Sequence, residues 1–265
     1  MKLGFIGCGN MAAAIINGIV KSNTVKGEDI FIYDVFNTAS ANVRAEYSCN
    51  ICDDEKAVVN HSDIVFLAVK PNVIGNVLDK ISNAVSESNP LLISIAAGKT
   101  LEFLESSIKT DAKIVRVMPN INAKVSEAIS AYCYNKNIND NDIKNVEILL
   151  NCFGKCISLD ENYFAIFGVI GGCSPAFAYM FIDAMARAAV QNGMKKDDAL
   201  KISAQAVYGS AKMILENEEH PYKLIDNVCS PGGTTIEGVV SLQSDGFESA
   251  IHNAVNKAFE KDKKL

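Results

Sequence analysis

Gly7 and Gly9 stand one residue apart where an apolar run meets a helix-forming one, and of all positions in the chain these are best placed to grip an anion. Leu3 to Ile6 reads as a short buried strand, and Met11 to Val20 as the helix that follows it. A strand turning through two glycines into a helix presents free backbone N–H groups and the positive end of the helix dipole, which is how the pyrophosphate of a dinucleotide is held. Gly7 permits the tight turn and Gly9 lets the backbone approach the phosphates. Ala12 takes the third place of G-x-G-x-x-G/A, where a small side chain lets helix and strand pack closely. The expected contacts run through Ile6, Gly7, Cys8, Gly9, Asn10 and Met11.

Further polar or small residues fall at the ends of later strands. Asp34 closes the second, 27 residues after Gly7, where a carboxylate accepts hydrogen bonds from ribose hydroxyls and repels a 2′-phosphate. No arginine follows before Arg44, so Asp34 leans towards NADH; the other reading is that Asp34 only starts a turn. Ala68-Val69-Lys70-Pro71 ends the next strand, with Lys70 able to reach phosphate or ribose oxygens. The small residues Ala96, Ala97 and Gly98 would let a flat nicotinamide ring lie against the backbone. Arg116-Val117-Met118-Pro119-Asn120 offers a carboxamide, either to orient a substrate or cofactor amide or simply to shape a turn. Asn227-Val228-Cys229-Ser230-Pro231-Gly232-Gly233-Thr234-Thr235 sets two glycines just ahead of a helix. Backbone N–H groups there form a nest suited to a carboxylate, and the same residues would also serve as an ordinary N-cap and turn.

Strands and helices must alternate to bring these segments together. Strand-like runs recur at Ile30–Asp34, Ile64–Val69, Leu91–Ile95 and Ile114–Val117, with helical stretches such as Val73–Val85 between them, and this pattern predicts a doubly wound parallel sheet of the Rossmann type. Ala128–Tyr134 and Lys155–Ser158 read as further strands. Beyond about residue 160 the pattern turns all-helical. Ser174-Pro175 is a good helix start and Asn192-Gly193 a good stop. Further helices are expected from Asp197 or Asp198 to Glu216, at Thr234–Leu242 and at Phe247–Phe259. The predicted domains are 1–160, dinucleotide-binding, and 161–265, helical, for substrate and dimerisation. Pro175–Gln191 is apolar nearly all round, so it must be enclosed, by a second subunit or by the sheet domain.

Bulk properties exclude other classes. A net charge of −6 with no basic block leaves nothing to neutralise nucleic-acid phosphates, and the basic end from Lys257 to Lys264 is interrupted by acids. No apolar run is expected to span a membrane, and the N-terminus reads as a strand rather than a signal peptide, so a cytoplasmic protein is expected. The eight cysteines include Cys49-x-x-Cys52 and Cys152-x-x-x-Cys156, but neither pair is completed into a tetrahedral ligand set. Reduced thiols and no metal are expected. The three histidines, His61, His220 and His252, share no motif, and His220-Pro221 is expected in a loop.

The residues together resemble the pyrroline-5-carboxylate reductase family, which performs the last step of proline synthesis. The likeness spans the chain through Gly4-Phe5-Ile6-Gly7-Cys8-Gly9-Asn10-Met11, Ala68-Val69-Lys70-Pro71, Ile93-Ser94-Ile95-Ala96-Ala97-Gly98, Val115-Arg116-Val117-Met118-Pro119-Asn120, His220-Pro221 and Ser230-Pro231-Gly232-Gly233-Thr234-Thr235. The resemblance implies hydride transfer from NAD(P)H to the imine carbon of 1-pyrroline-5-carboxylate. It implies helical domains interleaved between two subunits, with Gly233, Thr234 and Thr235 holding the substrate and Asn227 and Glu161 near it. Ser230 and Gly232 complete the expected anion nest, and the Thr235 hydroxyl is expected closest to the chemistry.

Two departures stand out. Gly171-Gly172-Cys173-Ser174-Pro175-Ala176-Phe177 has a thiol where the family commonly has a hydroxyl, and Glu55 occupies a position that often carries asparagine beside the adenine ribose. The family more often uses NADPH, against the lean of Asp34. A 3-hydroxyacid or other imine reductase on the same fold would need a catalytic lysine or acid on the core helix, which offers only Asp183 and Arg187. A non-catalytic dinucleotide-binding paralogue would not need the Ser-Pro-Gly-Gly-Thr-Thr loop.

Overall fold

The structure, a computed structural model, describes residues 1–217 and 219–263; Lys264, placed by the sequence in the basic C-terminal run, lies outside the described residues. The chain forms two compact units, Met1–Gly172 and a second from Cys173 onward.

The first unit alternates as expected: β1 (Leu3–Ile6), α1 (Asn10–Lys21), β2 (Ile30–Tyr33), α2 (Asn37–Tyr47), β3 (Asn50–Ile51), α3 (Glu55–Asn60), β4 (Ile64–Leu67), α4 (Ile74–Ser88), β5 (Leu91–Ser94), α5 (Leu101–Ile108), β6 (Lys113–Met118), β7 (Ala128–Tyr134), α6 (Asp140–Asn151) and β8 (Gly154–Ser158). The sheet runs in the order β3-β2-β1-β4-β5-β6-β7-β8. Strand order reverses at β1, so β1 and β4 flank the crevice where the glycine turn emerges.

The sheet is parallel from β3 to β6, as expected, and changes direction beyond it. β7 is antiparallel to β6, and β8 then runs parallel to β7. Residues 119–127 between β6 and β7 hold only a 3-10 turn, Ile121–Val125, which is too short for a parallel crossover. β3 escaped the sequence reading because two residues on a sheet edge leave no periodicity.

Alternation along the central strands divides the core. Leu3 and Phe5 of β1, with Ile64 and Phe66 of β4, face the layer containing α1 and α6. Ile6, Val65 and Leu67 face the opposite layer, packed on α4 and α5. Phe5 and Phe66 stack at 4.6 Å between centroids, which locks the two strands that carry the crevice.

The chain leaves the sheet through α7 (Phe164–Phe167) and a π-helical turn, Gly168–Cys173. The second unit then contains α8 (Ser174–Gln191), α9 (Lys196–Glu216), α10 (Pro221–Val228), α11 (Thr234–Ser244) and α12 (Phe247–Asp262). Ser174-Pro175 opens α8 as expected, with Pro175 in its first turn, and helical backbone already precedes it. From Glu161 to Gln191 that backbone is unbroken, and on length and composition alone it is long and apolar enough to cross a membrane, contrary to expectation. α10 also corrects the sequence reading. His220 caps it, Nδ1 accepting the Tyr222 amide at 3.3 Å, and Pro221 supplies the first helical φ.

α8 and α9 pack on each other through small residues: Ala186, Ala199 and Ser203 are buried. Asp183 of α8 joins Arg187 and Lys196 in one charge cluster. Elsewhere α8 is open, with Tyr179, Met180, Phe181 and Met185 all exposed.

Candidate active site

The turn between β1 and α1 has the properties expected of an anion cradle. Gly7 holds φ +100°, and a Cβ there would meet the Ala68 carbonyl oxygen at 2.6 Å. Only glycine fits. Its amide donates to the Tyr33 carbonyl at 2.8 Å, fixing the turn to β2. Gly9 is the N-cap of α1, and a Cβ there would project into open space. No side chain caps α1 and no acid occupies its first turn, so the leading N–H groups at Asn10, Met11 and Ala12 face that space. Ala12 is buried, as close packing of helix on strand requires. This cradle fits a dinucleotide pyrophosphate: the space over Gly9 is open and the helix N–H groups border it.

Asp34 shapes a turn, one of the two readings open in the sequence. Its Oδ2 accepts the Cys8 amide at 2.7 Å, and its Oδ1 accepts the Phe36 amide at 2.9 Å. The carboxylate thus shapes the turn after β2 and clamps it to the glycine loop. Cys8, beneath that loop, has its thiol pushed up to about 12 by burial, reinforced by the Asp34 charge. It is a packed neutral group.

Ile6, Gly7, Asp34, Glu55 and Val69 come together on one cleft of about 490 Å³, with Asn76 and Lys80 from α4 on its wall. Glu55 is buried and accepts a hydrogen bond from Lys80 Nζ at 3.1 Å. The sequence reading missed Lys80, since a lysine on an amphipathic helix carries no signal of its own. The remaining expected cofactor residues lie on the neighbouring strand-end loops. Ala68 continues β4 towards exposed Lys70 and Pro71, in a turn closed by the Val73 amide on the Lys70 carbonyl at 3.0 Å. Ala96 is buried, while Ala97 and Gly98 stand exposed after β5.

Asn120 and Glu161 are placed by local bonds. Pro175 has no N–H to offer the carbonyl of Gly171, four residues back, and the Asn120 side chain supplies one instead, Nδ2 to O at 2.9 Å. The carboxamide is buried and its Oδ1 has no partner among the described residues. Glu161 Oε1 accepts both Arg116 Nη1 at 2.7 Å and the Leu101 amide at 2.8 Å. The guanidinium lies 4.4 Å from the Phe164 ring. Nearby Cys133 is pushed up to about 12 by burial and by the Glu161 charge. A lone arginine in an apolar strand was the available signal for this half-buried pair.

In the second unit, Ser230 to Thr235 forms a turn leading into α11. Gly232 takes φ +68°, and Gly233 is the N-cap, with no side-chain cap. One expected anion donor is already committed: the Gly233 amide bonds the Ser230 carbonyl at 3.0 Å. The donors left are the amides of Gly232 and of the first helical turn, including Thr234 and Thr235, whose side chains are exposed. Asn227, at the end of α10, donates to Glu219 at 3.3 Å. Among the histidines, the His61 Nδ1–H donates to the Ala57 carbonyl at 2.7 Å and the ring stacks on Phe31.

Comparison with known proteins places this geometry. Residues 161–265 match the family described as "Pyrroline-5-carboxylate reductase dimerisation", and residues 2–98 match "NADP oxidoreductase coenzyme F420-dependent". The pyrroline-5-carboxylate reductase of Escherichia coli K12 is 41% identical over 264 residues, covering 100% of this chain and 98% of that one. The chain belongs to the pyrroline-5-carboxylate reductase family. The crystal structure of the Plasmodium falciparum pyrroline carboxylate reductase with NADP bound superposes with a TM-score of 0.86 at 36% identity, covering 100% and 97% of the two chains. The Coxiella burnetii pyrroline-5-carboxylate reductase reaches a TM-score of 0.92 at 28% identity, covering 99% and 97%. The glycine cradle of β1–α1 and the Ser-Pro-Gly-Gly-Thr-Thr turn of α11 lie in separate units of this chain.

Proposed function

We infer that this chain reduces 1-pyrroline-5-carboxylate to proline, taking hydride from NAD(P)H. The observation that carries the reading is the presence in one chain of an uncapped, Gly9-floored cradle and an uncapped helix start after Ser230-Pro231-Gly232-Gly233. One suits a pyrophosphate and the other a substrate carboxylate. We assign residues 1–160 to dinucleotide binding and 161–265 to substrate binding and dimerisation.

The bound coenzyme supplies the hydride. The protein's own residues position and complement charge. The first-turn amides of α1 and the loop Gly7-Cys8-Gly9-Asn10-Met11 bind the pyrophosphate. Asp34 and Glu55 sit at the ribose end, Val69, Lys70 and Pro71 at the phosphates, and Ala96, Ala97 and Gly98 at the nicotinamide. In the second unit, Gly232 and Thr234 amides hold the substrate carboxylate, flanked by Ser230 and Asn227. Thr235 offers a hydroxyl to the ring nitrogen. A cyclic imine is basic enough to be substantially protonated near neutral pH, so orientation counts for more than strong acid catalysis. Glu161 supports the site through Arg116 and the loop ending at Leu101.

The exposed apolar surface of α8 is assigned to a second copy of the chain, giving a homodimer. A soluble monomer rarely leaves Tyr179, Met180, Phe181 and Met185 uncovered together. The same assignment accounts for a span-length apolar helix in a cytoplasmic enzyme. The activity is tested by following imine-dependent coenzyme oxidation, and by the reverse reaction with proline and NAD at high pH. Coenzyme binding without turnover in either direction would leave only a dinucleotide-binding paralogue.

A further inference from the structure

The cleft shared by Gly7, Asp34 and Glu55 holds an ion pair that the proposed reaction does not itself require. Glu55 opens α3 with its side chain only 9% exposed, and Lys80 reaches it from α4 at 3.1 Å while remaining 59% exposed. A buried carboxylate needs a partner, and Lys80 is the cation on this cleft wall that supplies one. Lys80 is therefore committed inward. Asp34, on the same cleft, is held by the amides of Cys8 and Phe36 and cannot swing aside without giving up both bonds. Asp79, a third acid on the wall, is bonded to Lys109.

We propose that the Glu55–Lys80 pair sets the coenzyme choice of this chain, selecting an unphosphorylated ribose and keeping Lys80 from acting as a 2′-phosphate ligand. The proposal rests on the reductase reading above and deepens it. A ribose hydroxyl entering the cleft can donate to the free lone pairs of Asp34 and Glu55. A 2′-phosphate meets two carboxylates and an ammonium already paired with one of them. Neutralising Glu55 alone releases Lys80, whose exposed stem lets the charge turn towards the entering phosphate.

The test measures equilibrium binding of NADH and NADPH to the full-length protein by titration calorimetry, alongside adenosine 5′-phosphate and adenosine 2′,5′-bisphosphate as fragments. The unmodified protein binds NADH at least about tenfold more tightly than NADPH, the discrimination expected of one close charge in partly solvated surroundings. Glu55→Gln, which keeps the shape of the side chain but weakens the ribose acceptor, shifts the NADPH-to-NADH affinity ratio about tenfold or more towards NADPH and raises affinity for the bisphosphate. It also steepens the salt dependence of NADPH binding. The double variant Glu55→Gln with Lys80→Gln loses that gain. If Glu55→Gln moves both coenzymes equally, or if the double variant keeps the gain, the pair is only structural and the proposal falls. If the unmodified protein binds both coenzymes equally and still reduces the imine, the proposal alone is overturned. If neither coenzyme binds, the reductase reading falls with it.

Discussion

Arg116 and Glu161 form a half-buried ion pair at 2.7 Å that ties the end of β6 to the first turn leading into the helical segment. The arginine side chain is 9% exposed and the glutamate 31%, so the two ends of the bond are not equivalent. Removing Glu161 strands a guanidinium against Phe164 and frees the Leu101 amide. Removing Arg116 leaves a carboxylate that water can reach and that keeps the Leu101 bond. Glu161→Ala should therefore cost about 3 kcal/mol and Arg116→Met about 1 kcal/mol in urea unfolding. Equal losses would contradict this asymmetry.

The two glycines of the cradle should separate stability from binding. Gly7→Ala forces a side chain into positive φ and against the Ala68 carbonyl, costing about 2 kcal/mol or more. Gly9→Ala adds its methyl to open space, so stability should move by no more than about 0.5 kcal/mol. Coenzyme affinity should nonetheless drop about tenfold or more as charge-assisted bonds to the phosphates lengthen. Calorimetric binding and thermal melts on both variants decide it. An unchanged coenzyme affinity in Gly9→Ala would remove the cradle from the site.

Much of this was legible before any coordinates. The strand ends carrying Gly7, Asp34, Ala68 and Gly98 were readable because short apolar runs stop at residues with strong backbone preferences. The antiparallel return of β7 was not, since direction depends on how far residues 119–127 can reach rather than on composition. Lys80 and Arg116 were passed over because partners far apart in sequence, Glu55 and Glu161, give them meaning. The commitment of the Gly233 amide to Ser230 was hidden for a related reason: a motif names its donors but not which of them the turn itself consumes.

The open face of α8 leads to a prediction about assembly. Phe181→Glu or Met185→Glu should yield monomers at micromolar concentration in light scattering, with activity lost in parallel, because each side chain is 37% exposed in the single chain yet lies on an apolar helix. A monomeric unmodified protein with full activity would refute the dimer.

Alkaline pH should weaken the fold through its packed thiols. Cys8 and Cys133 are raised from 9.0 to about 12, chiefly by burial. Above the unfolded value the folded chain holds protons that the unfolded chain has released. The stabilisation is complete below about pH 9 and is lost as pH rises towards about 12, at up to about 1.4 kcal/mol per pH unit for each thiol. Urea midpoints measured from about pH 8 to pH 10.5 should fall accordingly, and Cys8→Ala should flatten the slope by one thiol's share. A pH-independent midpoint over that interval would show that these thiols titrate normally.

Thr235 carries the sharpest test of mechanism. It stands in the first turn of α11, exposed, one residue after Thr234 and two after the Gly233 N-cap. The Gly233 amide is spent on Ser230, so the substrate pose proposed above uses the amides of Gly232 and the first turn for the carboxylate and sets the ring nitrogen near the side chains of that turn. The Thr235 hydroxyl can then orient the iminium or relay its proton. Thr235→Ala should lower kcat by about 10²-fold, at the lower end for a positioned proton-transfer group, since an iminium already attracts hydride. Thr235→Ser keeps the hydroxyl and should keep most of the activity. Coenzyme affinity, which we assign to the cradle of the first unit, should barely move in either variant. An alanine variant with full kcat would reduce Thr235 to a residue of the helix start and leave the proton to water.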